Sequence, residues 1–226
     1  MPAWLQLMID SFWPLLSAGL IFTVPLTLIT FVGGIILGFI IALIRLYGPK
    51  PLIALVRFYV WLIRGTPLLV QLFLIFYGLP SVGIVLDAFP AAVIGFTLNV
   101  GAYTSEVIRA TLASVPKGQW EASYSIGMNW TQAMRRIVLP QAARIAVPPL
   151  SNSFISLVKD TSLAAALTVP ELFQAAQRIA AVTYEPLILY TETAIIYLLF
   201  SSVLSSLQEK LEIRLARHTG IEETQA

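Results

Sequence analysis

The chain has 226 residues, of which 58% are hydrophobic and 12% charged, and its formal net charge is +2. Soluble domains carry about a quarter charged residues, so this composition reads as an all-α integral membrane protein and argues against a soluble enzyme. With no cysteine and one histidine, His218 in the tail, no disulfide framework, no metal site and no Ser-His pair are expected, and so small a net charge gives no reason to expect nucleic acid as a partner.

Residues 1–16 contain no Lys or Arg, so a cleaved signal peptide, which opens with a basic region, is not expected. From Ser11 to Ile44 no residue is charged, whereas a helix needs roughly 20 apolar residues to cross a bilayer. The first span is therefore expected over 15–44, with Gly19, Pro25, Gly33, Gly34 and Gly38 as points of close packing or kinking. Gly48-Pro49-Lys50-Pro51 is turn chemistry. The second span, 58–79, is interrupted by Arg64-Gly65-Thr66-Pro67, and a loop over 80–88 leads to the third, 89–108. A polar region, 109–144, precedes the fourth span, 145–169, which carries Lys159 and Asp160. A polar connection with a short helix over 170–181 leads to the fifth span, 186–207, which carries Glu192. A charged tail, 208–226, completes a single domain, 1–226.

Five crossings place the termini on opposite sides. Lys and Arg accumulate on the cytoplasmic side of a membrane protein. Eleven of the basic residues, from Arg45 to Arg217, fall on one side and Arg178 alone on the other, with Arg64 and Lys159 at unassigned depth. The N-terminus is thus expected outside, and the C-terminus and the region 109–144 in the cytoplasm.

Within that region, Glu121 to Met128 is expected as a short helix broken by Gly127 and Asn129. Asn129 is an N-cap residue, with Gln132 at the third helical position as in a capping box. The second helix runs to about Leu139, and Pro140 marks the entry to the next span. Ala122, Ser123, Ser125 and Gly127 are small enough to admit a partner's surface close to the backbone. An ordinary loop lying on lipid headgroups is the other reading of the same residues.

Glu121-Ala122-Ser123, Gly127 and Ile137-Val138-Leu139-Pro140 resemble the EAA loop of ABC importer permeases, with Ser123 where the pattern has Ala. The stretches 64–71, 99–109, 117–122 and 150–163 resemble the polar amino acid permeases, and the runs SNSFISLVKDTSLA and KGQWEAS are most similar to the L-cystine permeases. The resemblance covers residues 15–210. It implies a type I ABC importer (MetI-like) permease fold in the bacterial plasma (inner) membrane, with a cytoplasmic coupling helix. Glu121, Ala122, Ser123, Gly127, Leu139 and Pro140 would then seat in ATPase subunits, a solute-binding protein would dock outside, and a second permease subunit, an identical copy, would complete the path. The chain has no G-x-x-x-x-G-K-[ST] loop, so it is not expected to be an enzyme or to hold a cofactor; ATP-Mg would belong to the partner subunit. The alternatives are an autonomous secondary amino acid carrier, an importer of arginine or glutamine, and a membrane scaffold that transports nothing.

Polar groups inside a membrane span are candidate sites, and an amino acid needs donors for its carboxylate and acceptors for its ammonium. Asp160 is the candidate amine acceptor, or else pairs with Lys159. Thr161 and Ser162 offer hydroxyls to cargo, or bond back to helix carbonyls. Asn99 binds cargo or a neighbouring helix. Arg64, Gly65, Thr66 and Pro67 form a candidate gate, with Arg64 otherwise reaching toward the interface. Glu106 is expected to pair with Arg109, and Glu192 with a neighbouring helix.

Overall fold

The computed structural model describes residues 2–216, and no strand occurs among them. His218 and Arg217 lie outside the described residues. Ten α-helices follow one another: α1 (Ala3–Ala18), α2 (Val24–Tyr47), α3 (Lys50–Gly65), α4 (Leu68–Phe73), α5 (Ala88–Ser114), α6 (Lys117–Ser125), α7 (Trp130–Ala133), α8 (Leu139–Asp160), α9 (Leu172–Thr183) and α10 (Pro186–Ala216). Three π turns extend the helices: Gly19–Thr23 joins α1 to α2 and Met134–Val138 joins α7 to α8 without a break, while Leu74–Gly78 carries α4 into a 3-10 segment, Leu79–Val82. Each π turn ends two residues before a proline: Pro25, Pro80 and Pro140. A proline has no N–H for its helical partner and its ring crowds the carbonyl four residues back, and a wider turn relieves both defects.

Ala3–Tyr47 is therefore a single helical run, twelve residues longer at its start than the expected span. Ala3–Tyr47, Ala88–Ser114 and Pro186–Arg214 are each long and apolar enough to cross a membrane. Lys50–Gly65 and Leu68–Val82 pass the same test together, but the chain bends by 109° between them. The expected fourth span is α8 followed by a 3-10 segment, Thr161–Leu167. It begins at Leu139, six residues early, because the π turn carries the helix past Pro140. Gln141, Arg144, Asn152 and Lys159 leave it too polar to be counted with the others. Five crossings are compatible with this fold, and three or four of them meet the length and apolarity test. At the far end α10 runs through the expected tail boundary to Ala216.

The central contact is α2 against α5. A Cβ on Gly34 would lie 2.4 Å from Val100 Cγ1, and one on Gly38 would lie 2.2 Å from Thr104 Oγ1 and 2.9 Å from the Ser105 backbone nitrogen. Both partners advance by four residues together, so the two helices run parallel. Thr104 Oγ1 donates to the Gly34 carbonyl at 3.1 Å across the contact. Such close approach is the usual role of small residues between membrane helices. Leu26, Leu72, Phe96, Val100, Leu157 and Leu167 close the main core between α2, α4, α5, α8 and the 3-10 segment. Many large apolar side chains on the outer faces are exposed, among them Ile21 at 62%, Trp61 at 69% and Leu198 at 64%, as helices bathed in lipid require.

The helix expected over 170–181 is α9, shifted to Leu172–Thr183. Glu171 caps it, its carboxylate accepting from the N–H groups of Gln174 (2.7 Å) and Phe173 (2.9 Å) and from the Tyr197 hydroxyl (2.8 Å). Leu172 and Ala176 pack against Leu15 of α1 and Ile196 of α10, so α9 is built into the bundle and not merely laid on its surface.

Candidate functional site

A cavity of about 500 Å³ lies where the bend between α3 and α4 meets α5 and α8. The bend contributes Thr66 and Pro67, α5 contributes Asn99 and Tyr103, and α8 contributes Asn152, Ser156 and Asp160. The three α8 residues are spaced four apart and form one stripe down that helix. Asp160 is exposed to the cavity and is its only charged lining residue among those described. Its carboxylate accepts no hydrogen bond and forms no ion pair with Lys159 among the described residues, since adjacent helical residues point about 100° apart. The cavity thus presents one carboxylate without a hydrogen bond or ion pair among the described residues beside neutral amide and hydroxyl groups, a set whose chemistry matches an ammonium by charge and a carboxylate by neutral donors.

Asn99 has a second task. Its amide nitrogen donates to Gln71 Oε1 at 3.1 Å. Gln71, 7% exposed, turns its own amide nitrogen to the Ile63 carbonyl (2.7 Å), the Thr66 carbonyl (3.0 Å) and Thr66 Oγ1 (2.9 Å). The bend frees backbone carbonyls, and this buried amide satisfies them. Asn99 therefore ties α5 to the bend and still presents its carbonyl oxygen, which accepts no bond among the described residues.

Thr161 and Ser162 do not join the cavity. Thr161 is fully buried, and its hydroxyl donates to the Val158 carbonyl at 2.6 Å; the chain tightens into the 3-10 segment directly after Asp160 and turns both residues away.

Arg64 and Gly65 face a different pocket from Thr66 and Pro67. Arg45, Arg57, Arg64, Trp61, Tyr103 and Glu106 line a second space of about 460 Å³. Glu106 is its one carboxylate among the described residues. Arg109 donates to Glu106 Oε2 through Nη2 and Nε at 3.0 and 3.1 Å, as the i, i+3 spacing led one to expect. Arg45 donates to Oε1, and Arg64 lies 3.6 Å from the same oxygen and 5.3 Å over the Tyr103 ring. Glu192 is an interhelix partner, with the Ser11 hydroxyl donating to its Oε2 at 2.5 Å.

The elbow between α5 and α8 has the expected construction with shifted boundaries. The first helix is α6, which starts four residues before Glu121 because Pro116, in extended conformation, begins it, and ends at Ser125. Gly127 stands at φ +80°. Gly127 N–H donates to the Tyr124 carbonyl at 2.9 Å and Met128 N–H to the Ser123 carbonyl at 3.1 Å, the two bonds of a Schellman cap. Both bonds of the capping box form: Gln132 N–H to Asn129 Oδ1 at 3.0 Å and Asn129 N–H to Gln132 Oε1 at 2.9 Å. Glu121, Ala122, Ser125 and Gly127 are exposed, with Tyr124 at 47% and Ile126 at 72%. Ser123 is not part of that face: it is 3% exposed and donates to the Gln119 carbonyl at 2.6 Å. Leu139 packs on buried Met134 and Val138, and Pro140 is exposed. Trp130 stacks edge-on against Tyr47 at 5.2 Å, which sets the elbow at the end of the bundle where α2 and α5 finish.

Gln71, Tyr103, Asn152 and Ser156 were not anticipated from the sequence. The α8 stripe was visible there as polar residues four apart, but Gln71 gave no periodic signal, because its importance comes from a bend whose size a sequence does not disclose.

The chain is 53% identical over 212 residues to the L-cystine transport system permease protein TcyB of Bacillus subtilis, an alignment covering 93% of this chain and 91% of that protein. It also matches a crystal structure of an amino acid ABC transporter with histidines, with TM-score 0.87 and 34% identity over 95% of this chain and 99% of that one. The methionine ABC transporter MetNI in an inward-facing form matches with TM-score 0.76 and 19% identity over 91% and 98%, a likeness of fold. The match to the model of binding-protein-dependent transport system inner membrane components spans residues 34–217, from the glycine seam of α2 through both cavities and the elbow, and the chain belongs to that family.

Proposed function

We propose that this chain is the permease subunit of an ATP-driven importer of a polar amino acid, with L-cystine as the leading cargo. The observation that carries the reading is the cavity in which an unpaired Asp160 carboxylate faces the amide of Asn99 and the hydroxyls of Tyr103 and Ser156. Cystine carries an ammonium and a carboxylate at each end, and this set of groups complements one end. The 53% identity to an L-cystine permease supports the choice of cargo.

The elbow supports the rest. Its exposed residues, Glu121, Ala122, Ser125 and Gly127, lead into the Schellman cap and the capping box that follows it, and they share their end of the bundle with the basic residues of the α2–α3 turn. By the charge asymmetry this end is cytoplasmic and the N-terminus is outside. An ATPase subunit seated there transmits nucleotide binding to the bundle only so far as it favours one arrangement of the helices over another. Two copies of the chain would enclose the path, with a binding protein delivering cargo at the opposite end.

The test is uptake by the chain reconstituted with its ATPase and binding protein, comparing radiolabelled cystine, arginine and glutamine. ATP-dependent accumulation of cystine in preference to the other two is expected. Accumulation without the ATPase would make the chain an autonomous carrier, and preference for arginine or glutamine would reassign the cargo.

A further inference from the structure

The two pockets have opposite charge, and the bend divides its residues between them. Thr66 and Pro67 line the cavity with Asp160, while Arg64 and Gly65 line the pocket with Arg45 and Arg57; Tyr103 borders both. Asn99 of the first and Glu106 of the second are seven residues apart on α5, which places them on one face and about 10 Å apart along the axis. The second pocket is therefore the next space met by anything leaving the first toward the elbow end.

Its electrostatics are unbalanced. Both oxygens of Glu106 are engaged, one by Arg109 and the other by Arg45 with Arg64 nearby. One carboxylate thus answers three guanidinium groups. Arg57 is exposed into the pocket and makes no ion pair among the described residues, and Arg45 Nε is buried with no partner. Arginines gathered in a pocket at one end of the bundle favour a counter-charge, and the planar fork of arginine matches a carboxylate in two places at once. The first cavity offers a carboxylate and no cation, and the second offers cations whose only carboxylate is already taken.

We infer that the pocket of Arg45, Arg57 and Arg64 is a second station for the cargo, binding its carboxylate group after the ammonium group has been held at Asp160. Arg64 belongs to the bend that also shapes the first cavity, so the two stations share one structural element. Arg57 is the freest of the three to bind, since no ion pair among the described residues holds its charge. This inference rests on the cargo reading proposed above.

The test separates the two halves of the cargo. Binding of radiolabelled cystine to the permease–ATPase complex in nanodiscs is measured against two competitors: cystamine, which keeps the amines and lacks the carboxylates, and dithiodipropionate, which keeps the carboxylates and lacks the amines. Both are expected to compete with the wild-type chain, which has no cysteine to exchange with them. Arg57→Gln should raise the half-inhibitory concentration of dithiodipropionate about tenfold, the worth of one charged hydrogen bond, and leave cystamine unchanged. Arg57→Lys should recover most of the dicarboxylate effect, and Asp160→Asn should weaken cystamine alone. Competition by cystamine that depends on Asp160, with none by dithiodipropionate, would overturn the second station and leave the cavity reading intact. Failure of cystine itself to bind would remove the cargo reading. Loss of co-purifying phosphatidylglycerol in Arg57→Gln, with dithiodipropionate inert, would give the pocket to a lipid phosphate and overturn the inference.

Discussion

Gly127 has φ +80° and open space where a side chain would stand. The small residues of the elbow looked on paper like a smooth surface for a partner; at this position the demand is set by the backbone instead. A residue with a Cβ in the left-handed region costs about 1–2 kcal/mol, and Asn is among the few that adopt it readily. Gly127→Asn should therefore keep most ATP-driven uptake, while Gly127→Val should lose most of it with membrane insertion unchanged. Equal loss in both would mean that the partner's approach, and not the Schellman cap, fixes this glycine. The neighbouring capping box was legible because its residues bond to one another within four positions. Ser123 was not, because facing inward is decided by how α6 packs on Met134 and Val138, which are distant from any local pattern. Asp160 and Asn99 were found as polar groups in apolar surroundings, while Thr161 fell to the back-bonding that its sequence equally allowed.

Among the elements, α2 and α5 depend on each other most. At Gly38 the obstructing atoms include the Ser105 nitrogen and the Gly101 carbonyl oxygen, at 2.9 and 3.1 Å from an added Cβ. Backbone cannot rotate out of the way, so the helices must separate. Gly38→Val should lower the melting temperature of the detergent-solubilised protein by several degrees, as a loss of about 1–3 kcal/mol implies for an overpacked contact. Gly33→Ala, which meets only the end of Thr97 at 3.1 Å, should change it little; the same fall in both would show that the seam is not set by backbone contact. The sequence displayed these glycines as packing points, but the ends it led one to expect differ from those of the helices. Pro140 was taken as a boundary, whereas a π turn carries the chain past it, as another does past Pro25, which was expected as a kink within the first span. The 109° bend was announced by Arg64-Gly65-Thr66-Pro67 without its angle, which depends on Gln71 arriving from a full turn later in the chain.

Across the whole molecule, the absence of cysteine makes the orientation directly measurable. A single cysteine at Ser125 or at Ala181, both exposed and on opposite ends of the bundle, can be labelled with a membrane-impermeant maleimide in intact cells. Ala181→Cys should react at once and Ser125→Cys only after permeabilisation; the reverse pattern would invert the molecule and move the elbow outside. That the protein is a membrane-embedded helical bundle was evident from composition, because an apolar excess has few other uses. How its helices share a cavity was not, because helices far apart in sequence meet there.

The run from Ala3 to Tyr47 is about 68 Å long at 1.5 Å per residue, more than twice the apolar depth of a bilayer. One extremity touches Trp130 of the elbow, and Leu15, near the other, is wedged against Leu172 of α9, with the Gly34–Gly38 seam between them. One unbroken stretch of backbone therefore carries residues of both ends of the bundle, and a deletion that shortened it by a turn would draw Tyr47 and Leu15 about 5 Å closer along the axis.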